Sequence, residues 1–128
     1  MKIKVNDERL KNYKPYEDFL NENEGIGYLK IRGYSASEAL PIIDLKITVT
    51  KEIGDYDVIF YEGKTDKSGM INDIALPACN RQRSNLEVPK CAMYNVEAEK
   101  NTFKENFYNI KVYNGIKTIT DINGGSYD

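Results

Sequence analysis

From Gly27 to Ile122 the apolar residues of this chain recur at every second position, in short runs broken by Gly, Pro, Asn and Asp. A period of two is the pattern of strands with one buried face, whereas a helix would repeat every 3.6 residues. The break that best shows the plan is Thr65-Asp66-Lys67-Ser68-Gly69, a polar turn between two apolar runs. Asp66 and Ser68 can hydrogen-bond the local backbone, and Gly69 can take the φ > 0 conformation that strains any residue with a Cβ. The stretch therefore predicts a tight β-hairpin, with Thr65, Asp66 and Gly69 as its structural residues.

The remaining runs follow the same logic. Tyr28 to Tyr34 puts Leu29 and Ile31 on one face and Lys30 and Arg32 on the other. Pro41 forbids a central strand just before Leu45 to Thr50, a β-branched run whose Leu45, Ile47 and Val49 are expected inward. Gly54 marks a turn, and Asp57 to Gly63, apolar on both faces, is expected to be an internal strand. Met70 to Leu76 should stop at Pro77, and Ala78 to Lys90 reads as a surface loop. Met93 to Lys100 turns Tyr94, Val96 and Ala98 inward, and Phe107 to Tyr113 and Ile116 to Ile122 flank Asn114-Gly115, a strong hairpin signal. Some seven short strands with no long helix predict an all-β antiparallel sandwich.

Residues 1–24 differ, being charged and Asn-rich with isolated anchors. Pro15 suits a first helical turn, and Tyr16, Phe19 and Leu20 are spaced i, i+3, i+4, so Lys14 to Asn21 is predicted to form a short helix on an arm packed against the domain edge. A docking peptide for a partner is the other reading. The chain thus divides into an arm (1–24), a β-sandwich module (25–122) and a flexible tail (123–128).

A length of 128 residues fits one domain with one core. Eighteen basic and twenty acidic residues, net −2, offer no general field for nucleic acid. No apolar run is long enough for membrane insertion, and the first residues lack the apolar core of a secretory signal, so a cytoplasmic location is expected unless a leader has been trimmed or release occurs by lysis. Cys79 and Cys91 match no metal spacing and are expected to be free thiols, able to bridge in an oxidising setting. The chain has no histidine, which removes the usual general base and the commonest metal ligand. No cofactor is expected. Asp55 with Asp57, and Asp66 with Asp73, lack the dense alternation of oxygen ligands that a calcium loop needs.

Tyrosine is in excess, ten against no tryptophan. Tyr34, Tyr61 and Tyr113 alternate away from the expected core, where a ring gives contact area while its hydroxyl stays wet; half-buried rim positions are the plainer reading. Arg81 and Arg83 add cationic groups in the loop.

Gly27-Tyr28-Leu29-Lys30-Ile31, Ala39-Leu40-Pro41-Ile42, Ile47-Thr48-Val49-Thr50, Thr65 to Gly69 and Ile74-Ala75-Leu76-Pro77-Ala78 follow in an order that resembles the carboxypeptidase regulatory-like modules of transthyretin-like, or prealbumin-like, fold. The chain is most similar to the variant at the N-terminus of spore-cortex-lytic and other peptidoglycan-binding proteins of spore-forming bacteria. There a Tyr-x-x-Phe-Leu arm, here Tyr16 to Leu20, precedes the first strand, and Leu-Pro-Ala follows the fourth. The resemblance implies a seven-stranded antiparallel Greek-key sandwich with a short helical arm. It also implies a non-catalytic binding or scaffolding role in spore or envelope association, with a protein or cell-wall glycan as partner. Hydrolases of this fold use histidines, so an enzyme here would need an atypical site; a subunit of a homo-oligomeric coat or phage particle is a further alternative. Adhesin domains of similar fold carry a Lys to Asn bond, for which Lys30 and Asn123 are the candidates, although alternation makes Lys30 a solvated lysine.

Overall fold

The computed structural model describes residues 1–35, 40–79 and 92–124. Within them lie eight strands, β1 (Lys2–Lys4), β2 (Gly25–Tyr34), β3 (Lys46–Ile53), β4 (Tyr56–Lys64), β5 (Met70–Ala78), β6 (Met93–Lys100), β7 (Phe103–Lys111) and β8 (Lys117–Asn123), with one α-helix, α1 (Lys14–Glu22), and a 3-10 turn over Glu8–Leu10. They form a sandwich of a five-stranded sheet ordered β1-β4-β3-β6-β7 and a three-stranded sheet ordered β5-β2-β8. β4 is internal, as its apolar faces predict.

Alternation sorts the core. Leu29 and Ile31 from one sheet face Ile47, Val49, Val96 and Ala98 from the other, all fully buried. Tyr94 is also fully buried, and its hydroxyl donates to the Pro77 carbonyl at 2.5 Å, joining β6 of one sheet to β5 of the other. Burial pushes that phenol far above its ordinary range. Helix α1 closes one end. Its Phe19 ring lies 5.7 Å from Phe60 and 6.4 Å, edge-on, from Tyr94.

Several expectations fail in instructive ways. Thr65 to Gly69 is a tight turn but not a hairpin, because β4 belongs to the large sheet and β5 to the small one. The same holds for Asn114-Gly115. The Ile116 amide donates to Tyr113 across it and Gly115 has φ +73, yet β7 pairs with β6 while β8 pairs with β2. Local turn chemistry reverses the chain without choosing its next partner. The true hairpins are β3–β4, turning at Gly54 (φ +60), and β6–β7, turning at Asn101 (φ +53).

Nor is the sandwich wholly antiparallel, since β1 runs parallel to β4 and β8 parallel to β2. Strand β1, three residues long, carries too little alternation to be read, yet its Ile3 is buried in the core. Pro77 lies within β5, opposite Ile26; β5 is an edge strand, where a missing N–H is harmless. Cys79 is disulfide-bonded, which overturns the free-thiol reading; the chain's other cysteine, Cys91, lies outside the described residues.

Candidate functional site

The turn that opened the sequence reading builds one wall of a groove. Asp66 Oδ1 accepts from the amides of Ser68 (2.8 Å) and Met70 (3.0 Å), which fixes the turn, and Gly69 sits at φ +74. Thr65 is buried beneath it, its hydroxyl donating to the Ile42 carbonyl (2.6 Å) and accepting from the Leu45 amide (2.9 Å). Gly33 of β2 locks the turn in place, its amide donating to the Gly69 carbonyl at 2.7 Å and its carbonyl accepting from Ile42 at 3.0 Å.

Above this frame runs an open groove of about 570 Å³. Tyr34, Pro41 and Met70 give it apolar surface; Arg32, Asp121, Lys67 and Ser68 give it polar groups. Arg32 and Asp121 are register neighbours on β2 and β8, and the guanidinium grips the carboxylate with two bonds of 2.6 and 2.8 Å. Those hydrogen bonds raise the Arg32 pKa and lower that of Asp121, so both stay ionised through the neutral range.

Of the residues singled out from sequence, Tyr34 lines this groove and the Thr65 to Gly69 turn frames it. Tyr61 does not join them. A bulge at Phe60, between the pairs Val49 with Tyr61 and Thr50 with Ile59, rotates the strand so that Phe60 and Tyr61 both pack on the core. Tyr113 is bridged to Cys79 and its carbonyl lies beside Gly27, seven residues along β2 from Tyr34 and so roughly 23 Å away. The three tyrosines therefore form no common surface. Arg81 and Arg83 lie outside the described residues.

Among the acids, Asp73 is paired with Lys117 at 2.8 Å, Asp66 serves its turn, and Asp55 and Asp57 flank the Tyr56 end of β4. Among the described residues no three metal-ligating side chains gather. Lys30 is in register with Ile119, whereas Asn123 is in register with Tyr34, four residues further and roughly 13 Å away, too far for a Lys to Asn bond. Sequence reading missed Arg32 and Asp121 as a pair. Alternation put Arg32 on the correct face, but nothing local joins it to a residue 89 positions away.

A second hollow, about 380 Å³ and mostly apolar, lies where α1 ends, lined by Leu20, Ile26, Ala75 and Pro77 with Asn23 at its base. The Asn23 side-chain Nδ2 donates to the Phe19 carbonyl at 2.9 Å. Elsewhere, the Lys51 amine donates to the Met93 carbonyl and lies 5.6 Å from the Phe19 ring, and desolvation lowers its pKa.

No protein-family model and no curated protein matches the sequence. Solved structures do match in shape. The Bacillus anthracis TIE protein aligns with a TM-score of 0.56 at 14% identity over 79% of this chain, which spans only 16% of that one. The 5-hydroxyisourate hydrolase of Klebsiella pneumoniae aligns with a TM-score of 0.54 at 14% identity, over 80% of this chain and 92% of that chain. Likeness at such identity speaks to architecture alone. With its 5+3 sheets and single short helix, this chain has a transthyretin-like, or prealbumin-like, β-sandwich fold.

Proposed function

We propose that this chain is a non-catalytic binding module of a spore- or cell-envelope-related assembly, and that it takes a cell-wall glycan in the groove beside Tyr34. The observation that carries the reading is the groove itself. Its roughly 570 Å³ suits a small ligand, and it sets an aromatic ring and apolar surface beside fixed polar groups. Sugars present the matching chemistry, an apolar ring face edged with hydroxyls. Arg32 and Asp121 hold each other rigidly and can each meet a hydroxyl, while Lys67 adds a cation for an anionic substituent.

Three further points support it. The ordered motifs, with the Tyr16 to Leu20 arm, resemble the N-terminal module of spore-cortex-lytic and peptidoglycan-binding proteins. A disulfide at Cys79 fits an oxidising, envelope-facing setting better than a reducing cytoplasm. The chain has no histidine, and Arg32 and Asp121 are locked in their charged forms by each other, which favours binding over catalysis.

Titration with soluble peptidoglycan fragments, followed by amide chemical shifts, tests this. Shifts should cluster on Arg32 to Tyr34 and Lys67 to Met70, and Tyr34→Ala should weaken binding about tenfold or more. Tyr108, 65% exposed on β7, gives the control Tyr108→Ala, which should change nothing. Failure to bind fragments together with failure to sediment with intact peptidoglycan refutes the glycan reading. Capture of a protein through the same residues would replace the glycan with a protein partner.

A further inference from the structure

A sandwich of two open sheets has four edge strands, and exposed edges invite pairing with another chain unless something blocks them. Here β1, β7, β5 and β8 are the edges among the described residues. Three carry blocking devices. Strand β1 is only three residues long, with exposed Lys2 and Lys4. Strand β7 is broken by a bulge at Tyr108 and Asn109, the latter at φ +59, and carries Lys104 and Glu105. Strand β5 contains Pro77 and a bulge at Asn72 and Asp73. Strand β8 carries charges as well, Lys117 and Asp121, but neither a bulge nor a proline, and its two charges are of opposite sign. It runs seven residues in unbroken register with β2.

Parallel pairing uses alternate residues of β8. The Tyr28 amide donates to the Ile116 carbonyl and the Gly124 amide to the Tyr34 carbonyl, so the even-numbered positions face β2. The backbone groups of Lys117, Ile119 and Asp121 consequently point away from it. Their side chains share the outer face, where Ile119 is 51% exposed.

We infer that β8 pairs antiparallel with β8 of a second copy of this chain, about a two-fold axis at Ile119. The sequence is self-complementary around that residue. Lys117 falls opposite the second copy's Asp121, and Asp121 opposite its Lys117, while Thr118 meets Thr120 and Ile119 meets itself. The outward backbone groups are those of 117, 119 and 121, which such a register joins as hydrogen-bonded pairs. Existing ion pairs extend across the join. Asp73 already holds Lys117 and Arg32 already holds Asp121, so each interface pair completes an alternating row of Asp73, Lys117, then Asp121 and Arg32 of the second copy. The product is a continuous six-stranded sheet, β5-β2-β8 followed by its two-fold mate, and two exposed isoleucines cover each other. This assembly shares Asp121 with the groove but rests on the β8 edge rather than on the glycan reading, and it forms without ligand.

Sedimentation velocity across a concentration series tests it, with hydrogen exchange on the same wild-type samples. The protein should pass from monomer to dimer as concentration rises, and the amides of Lys117, Ile119 and Asp121 should become protected in step. Ile119→Lys sets like charges against each other at the axis and should raise the dimer dissociation constant about a hundredfold, with an unchanged circular dichroism spectrum. A wild-type protein that stays monomeric at its highest soluble concentration overturns the inference. So does a dimer whose formation leaves those three amides exchanging as before, or one that Ile119→Lys does not weaken. Should Ile119→Lys fail to fold, the exchange measurement on wild type decides alone.

Discussion

Gly69→Ala is the substitution whose effect can be worked most fully from the structure. Two penalties combine. Gly69 sits at φ +74, where a residue with a Cβ loses roughly 1 to 2 kcal/mol. The added Cβ would also stand 2.5 Å from the Gly33 carbonyl oxygen and 2.9 Å from Pro41 Cβ. That oxygen belongs to backbone and cannot swing aside: Gly33 is held by its own amide to Gly69 and by Ile42. Relieving such an overlap costs roughly 1 to 3 kcal/mol, so the sum is about 2 to 5 kcal/mol. Gly115 isolates the first penalty, because it has φ +73 with open space around its would-be Cβ. Gly115→Ala should therefore lose only roughly 1 to 2 kcal/mol. Urea denaturation of the three proteins, with equal slopes, gives the differences directly, and in a thermal melt each kcal/mol should lower Tm by roughly 3 to 5 °C. Equal losses for Gly69→Ala and Gly115→Ala would refute the close-contact reasoning, and a midpoint unchanged in either would refute the conformational one.

Thr65→Val keeps the shape of a buried side chain but strands the Ile42 carbonyl and the Leu45 amide, so it should cost roughly 2 to 4 kcal/mol, while Thr65→Ser keeps both bonds and should cost less by chemical denaturation. Hydrogen bonds from the side chain and backbone of Arg9 lower the Asp7 pKa to about 2; a carboxyl NMR titration should show this, and Arg9→Ala should return it towards 3.8. Because the folded value is depressed, the contribution of Asp7 is complete above the unfolded carboxyl pKa and fades as pH falls from there through about 2. Reduction of the Cys79 disulfide should lower stability by roughly 2 to 4 kcal/mol, read as a drop in urea midpoint with reductant.

Face assignment was legible in the sequence because it depends only on neighbours two positions apart. Leu29 and Ile31, Ile47 and Val49, and Tyr94, Val96 and Ala98 are buried where alternation puts them. Sheet membership was not legible, since it depends on groups far apart in the chain. The Thr65 hydroxyl, for one, bonds groups 20 and 23 residues back, at Leu45 and Ile42, just where the chain leaves one sheet for the other. The inward turn of Tyr61 needed the Phe60 bulge, which leaves no mark on the period. In the groove, Tyr34 was visible as an outward ring at a strand end. Its polar companions emerged only once β8 was placed parallel to β2.

That parallel placement also sets an order of events. In the three-stranded sheet β2 is the central strand, yet one of its partners is the last of the described strands, so Arg32 must wait for Asp121 across 89 residues. Closing so long a loop costs about 4 kcal/mol of chain entropy beyond the fixed term before any contact rewards it. During synthesis the five-stranded sheet can assemble once Lys111 has emerged, while β2 is left with one side unpaired. The groove beside Tyr34 is thus complete only once β8 has docked and brought Asp121 to it.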